Sequence, residues 1–107
     1  MTKISTYLGF CIRAGKIAFG INRIEAQKRA HLLIADGELG KNSLKVMAKE
    51  QGRLNCPLVI TEKGLLGELA HRPTVKAVAI LDENLANAIV KEASQKPQFK
   101  FYSGGEN

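Results

Sequence analysis

The 107-residue chain has no tryptophan, only two cysteines and three prolines, and just six aromatic residues. So few rings make a poor stacking platform of the kind used on unstructured single strands. Cys11 and Cys56 lack the close spacing of a metal-binding pair, and His31 and His71 stand apart from any cluster of cysteines or acids. Both cysteines read as small buried apolar residues in a reducing compartment, and the expected state is two free thiols, although spacing alone does not forbid a bridge. No apolar run approaches the roughly 18 residues of a membrane span. The start of the chain shows no long apolar segment with a small-residue cleavage site, so the expected location is the cytoplasm.

Acids are also scarce: ten against sixteen Lys and Arg, a formal net charge of +6. The excess is one-sided. Residues 1–57 hold ten basic residues and four acids, whereas residues 58–107 hold six of each. A basic excess gathered in one half is the electrostatic footprint of a nucleic-acid binder. It is densest from Arg13 to Arg29, where Arg13, Lys16, Arg23, Lys28 and Arg29 face one acid, Glu25.

Periodicity gives the rest of the chain. Ile4, Tyr7, Leu8, Cys11 and Ile12 recur at helical spacing, predicting a helix over 3–14 that stops at Gly15. Residues 17–19 form a short strand. Asn22 is expected to cap a second helix over 23–29, with Ile24 inward. The run 31–35 (H-L-L-I-A) reads as a buried strand. A third helix is expected over 43–51, capped by Asn42 or Ser43 and ended by Gly52. Strand 58–60 follows. Thr61 is expected to cap a helix over 62–70 that carries Gly64 and Gly67. Strand 77–81 and a helix over 83–94 capped by Asp82 complete a single domain of residues 1–94. Residues 95–107 form a tail in which Phe99, Phe101 and Tyr102 can dock as an edge strand and Gly104 to Asn107 are mobile. Alternating helices and strands place helices on both faces of a small sheet, an α/β class.

No catalytic constellation emerges. The stretch 37–43 (G-E-L-G-K-N-S) follows a strand and precedes a helix, but a phosphate loop needs Ser or Thr directly behind the lysine, and Asn42 stands there. Asp82 and Glu83 suit a helix start. The chain reads as non-enzymatic, with no metal, cofactor or small-molecule substrate.

The ordered set L-G-F-C-I-R-A-G-K (8–16), Gly20 ahead of a basic helix, H-L-L-I-A (31–35), K-N-S-L-K (41–45), C-P-L-V-I (56–60), L-L-G-E-L-A (65–70) and V-A-I-L-D-E-N-L-A-N-A-I (78–89) resembles the ribosomal L-seven-Ae and L-thirty-e family, in its bacterial YlxQ-type branch. The resemblance covers residues 4–92. It implies a three-layer α/β/α sandwich with a mixed four-stranded sheet, and binding to kink-turn RNA, a sharply bent internal loop. In that family a Gly-x-Asn-Glu motif at the start of the second helix, with a lysine one turn on, enters the groove beside sheared G·A pairs, and the loop after the fourth helix contacts the flipped-out nucleotide. Gly20 and Asn22 match the motif. Arg23 stands in the glutamate position and Ala26 in the lysine position. The corresponding loop is His71 to Lys76.

The expected RNA-contacting set is therefore Lys16, Gly20, Asn22, Arg23, Lys28, Arg29, Lys41, His71, Arg72 and Lys76. The expected function is recognition of a structured, kink-turn-like RNA by a ribosome- or translation-associated monomer. The alternative is a protein-interaction module on the same fold with a decayed or altered RNA site.

Overall fold

The apolar run at residues 32–35 decides the architecture. All four residues are buried, so a strand there must be covered on both faces. In the computed structural model, which describes residues 2–103, it is the middle strand of a five-stranded sheet. The elements in order are α1 (Thr2–Ala14), β1 (Ile17–Phe19), α2 (Ile21–Glu25), β2 (Leu32–Ala35), α3 (Lys41–Leu54), β3 (Leu58–Thr61), α4 (Leu65–Ala70), β4 (Ala77–Ile80), α5 (Glu83–Ala93) and β5 (Phe99–Phe101). The strands lie in the order β1-β4-β2-β3-β5. Only β2 and β3 pair in parallel, joined by the α3 crossover; the other three pairings are antiparallel.

Alternation along β2 sorts the core into two clusters. Leu32 and Ile34 pack with Ile4, Leu8, Cys11, Leu66 and Ile89 from α1, α4 and α5. Leu33 and Ala35 pack with Ile24 and Met47 from α2 and α3. Both thiols are free. Burial pushes each up to about 11, helped at Cys11 by the nearby Asp82 charge, so both are protonated at neutral pH.

The four-stranded sheet implied by the resemblance is corrected to five. Phe99 is 7% exposed and enters the core, and its strand pairs antiparallel with β3, covering an edge that would otherwise be open. Residues 99–101 thus belong to the sheet although they lie past the expected boundary at 94. The expected mobility of Gly104 to Asn107 falls outside the described residues.

Helix starts differ most from expectation. α2 begins at Ile21, directly behind Gly20, whose φ of 88° lets the chain turn out of β1 at once. Asn22 therefore sits in the first turn and caps nothing, and Lys28 and Arg29 lie beyond the helix. α3 begins two residues early, at Lys41, and runs through Gly52 to a left-handed Asn55. Thr61 stays in β3, and α4 starts only after Gly64. Gly67 is required inside α4, because a Cβ there would lie 2.9 Å from the carbonyl oxygens of Arg72 and Pro73. Asp82 caps α5 as expected, accepting from the Leu85 N–H at 2.8 Å.

The N–H groups at the entry to α4 are taken instead by Asp36, which is 1% exposed. Its Oδ1 accepts from the Thr61 hydroxyl at 3.1 Å and the Leu66 N–H at 3.0 Å; its Oδ2 accepts from the N–H groups of Glu38 and Gly64, both at 2.9 Å. Burial alone would raise the carboxyl, but the backbone donors of Gly64, Glu38 and Leu66 and the Thr61 hydroxyl outweigh it and hold it below its ordinary value. A depressed carboxylate stabilises the fold above its unfolded pKa, and that contribution disappears as pH falls through the folded value. Asp36→Asn would face an NH2 group towards existing donors. It is expected to lose about 2–3 kcal/mol at pH 7 and to flatten the stability–pH curve below about pH 4. Urea melts across pH 2.5–7 check both.

Candidate nucleic-acid interface

Strand direction gathers three loops at one end of the sheet. β1 and β4 are antiparallel with Phe19 opposite Val78, and β2 and β4 are antiparallel with Ala35 opposite Ala77. The ends of β1 and β2 therefore meet the start of β4. The Gly20 N–H donates to the Ala77 carbonyl at 2.9 Å, and the Asp36 N–H donates to the Lys76 carbonyl at 2.8 Å. The start of α2, the loop 36–40 and the loop 71–76 are thus tied side by side.

Between them lies a mostly apolar groove of about 310 Å³, walled by Phe19, Gly20, Ile21, Leu39, Val75 and Lys76. Cations surround it. The Arg72 guanidinium lies over the Phe19 ring, 4.5 Å from its centroid, a cation–π contact. Asn22 and Arg23 are exposed on α2, and Lys41 is exposed two residues beyond Leu39. Lys76 Nζ donates to Glu38 Oε1 at 2.5 Å, and that hydrogen bond pushes the ammonium above its ordinary value. A polyanion would have to draw Lys76 away from Glu38.

Of the expected contact set, Gly20, Asn22, Arg23, Lys41, Arg72 and Lys76 come together here. Lys16 does not: its carbonyl accepts from the Leu81 N–H at 2.9 Å, at the far end of β1. Lys28 and Arg29 precede His31, whose N–H donates to the Ile80 carbonyl, so they too lie towards the far end. His71 turns away from the groove towards α1, with Nε2 3.3 Å from Ser5 Oγ.

A helix of five residues does not hold itself together, and sequence reasoning missed what holds α2. Arg53 of α3 reaches its C-terminal carbonyls, donating to Gln27 O at 2.8 Å, Ile24 O at 3.2 Å and Glu25 O at 3.4 Å. Glu50, whose side chain is only 4% exposed, aims that guanidinium by accepting from Nε at 2.6 Å. A cation at a helix C-terminus also complements the helix dipole. The available signal was the i, i+3 spacing of Glu50 and Arg53, together with an acid on a helix face that is otherwise apolar.

A second cavity, of about 460 Å³, lies at the start of β3 and is lined by Gln51, Asn55, Cys56 and Tyr102. It is distant from the basic groove along the strand. Among the described residues no cluster of three His, Cys, Asp or Glu could hold a metal, and no helix is long and apolar enough to cross a membrane.

No protein-family model matches the chain, and no curated protein matches it. Among solved structures it is similar to a protein with unknown function from Bacillus halodurans C, with a TM-score of 0.71 and 16% identity, covering 85% of this chain and 96% of that one. At that identity the likeness is one of fold.

Arg53→Ala strands Glu50 and frees the end of α2. It is expected to cost about 2–3 kcal/mol and to speed amide exchange selectively between Ile21 and Gln27. Protection there equal to the parent chain would show that α2 is held by Ile24 alone.

Proposed function

We propose that this protein is a non-enzymatic RNA-binding protein that recognises a structured, kink-turn-like RNA at the sheet end formed by α2, the loop 36–40 and the loop 71–76. On this reading the two helical layers are those of the L-seven-Ae and L-thirty-e α/β/α sandwich, with β5 added, and the protein acts as a cytoplasmic monomer in association with ribosomes or translation. The observation that carries it is the apolar groove rimmed by cations. An unstacked base fits an apolar slot beside a guanidinium plane, and Arg72 on Phe19 supplies that plane. Arg23, Lys41 and Lys76 then meet phosphates, which position the RNA, while Asn22 offers an amide to base edges. Sparse aromatics favour a folded RNA over a single strand.

Arg23 occupies the place where the resembling family keeps a carboxylate that accepts from guanine. An arginine donates instead, so the preferred pairs differ or contribute less. That residue and Ala26 are also what favours the second reading, a protein-interaction module with a decayed RNA site.

A gel-shift series over a range of KCl concentrations, with a kink-turn RNA and a matched straight duplex, tests the proposal. The expected result is preference for the kink-turn and a steep salt dependence. Arg72→Gln is expected to lower the log–log salt slope by about 0.7–0.9 and to reduce the preference. Absence of binding to either RNA at low salt contradicts it. Kink-turn binding that appears only when Arg23→Glu and Ala26→Lys are combined supports the second reading.

A further inference from the structure

The seam between α1 and the end of α4 carries polar groups that the groove does not use. Ser5 Oγ donates to the Leu69 carbonyl at 2.8 Å. Its single hydrogen is committed there, so in the 3.3 Å contact with His71 the imidazole Nε2–H is the donor. His71 stands at the C-cap of α4 with φ 55°, where glycine is the least strained choice.

Arg13 reaches back along α1 towards the same place. Its guanidinium lies 5.0 Å from the centroid of the Phe10 ring, and a Cβ on Gly9 would come within 3.4 Å of its Nη1. The guanidinium thus lies beside Gly9, and the Phe10 ring attracts it. Among the described residues Arg13 makes no ion pair. The resulting cavity, about 280 Å³, is lined by Ser5, Thr6, Gly9, Arg13 and His71, and no carboxylate lines it.

We infer that this seam is a phosphate subsite that takes a backbone phosphodiester of the RNA lying in the groove, an inference that rests on the RNA reading above. Arg13 offers two parallel N–H groups to two phosphate oxygens. His71 Nε2–H makes only a long contact to a neutral hydroxyl, and an anionic oxygen is the better acceptor. The next residue, Arg72, lies over Phe19 at the groove instead. Consecutive residues thus serve the two sites, and a strand crossing the 71–76 loop passes from the groove to the seam.

The test uses the full chain and the kink-turn RNA. Arg13→Gln is expected to weaken binding several-fold at low salt and to lower the log–log salt slope by about 0.7–0.9, with Arg13→Lys retaining most of that slope. Thermal melts of both variants should match the parent, because the residue is exposed. An unchanged slope in Arg13→Gln overturns the subsite while leaving the groove intact. Should the parent chain bind no RNA, the RNA reading fails on its own, and inorganic phosphate decides the seam. Saturable NMR shifts at Arg13 Nε and the His71 ring, measured against chloride at equal ionic strength, support an anion site. No shift under those conditions overturns it.

Discussion

Asp36 holds together the end of the sheet where the groove lies. Its carboxylate takes four donors from three different segments: the Thr61 hydroxyl, the N–H groups of Gly64 and Leu66 at the entry to α4, and its own neighbour Glu38. Its backbone N–H reaches Lys76 at the end of the next loop. One buried anion thereby fixes the start of α4, which ends in the loop 71–76, and the loop 36–40 that carries Leu39 to the groove wall. A buried carboxylate is costly unless its lone pairs are used, and here three of the four donors are backbone N–H groups that a side-chain substitution does not remove.

The second constraint acts on α2. A five-residue helix offers almost no stability of its own, yet it presents Asn22 and Arg23. Arg53, aimed by the buried Glu50, binds the carbonyls at its far end, while Gly20 ties its near end to β4. The basic excess of the first half of the chain thus divides by role. Arg53 is structural. Lys16, Lys28 and Arg29 lie towards the opposite end of the sheet. Lys76 lines the groove, Arg72 lies over its Phe19, Arg23 and Lys41 are exposed on the helices that start beside it, and Arg13 lies along α1. The net charge of +6 says only that basic residues are in excess; the strand directions decide which of them lie at the same end of the sheet.

Order and type of the helices and of the first four strands were legible in the sequence, because helical periodicity and the apolar runs at 32–35 and 77–80 report burial directly. Asp82 was legible as a cap because its partner, Leu85, lies three residues away. The misses have a common cause. Asp36, Glu50 and Arg53 act across long stretches of chain, and a charged residue in one dimension reads as surface. Thr61 reads as a helix cap, but the distant Asp36 carboxylate accepts the N–H groups at the entry to α4 in its place. Asn22 reads as a cap because Asn favours that position, but the φ of 88° at Gly20 starts the helix two residues sooner, at Ile21. Within the candidate site, Gly20, Asn22, Arg23 and the loop 71–76 were reachable by resemblance. The Arg72–Phe19 stack and the Lys76–Glu38 pair required the fold.

The most direct measurement is an amide chemical-shift map of the labelled protein titrated with a kink-turn RNA. The sheet-end interface predicts the largest changes at Gly20 to Arg23, at Leu39 to Lys41 and from Arg72 to Ala77, with Lys28, Arg29 and the region around Cys56 and Tyr102 little affected. Changes centred on Cys56, Tyr102 or the far end of the sheet, with the groove residues unmoved, would contradict it.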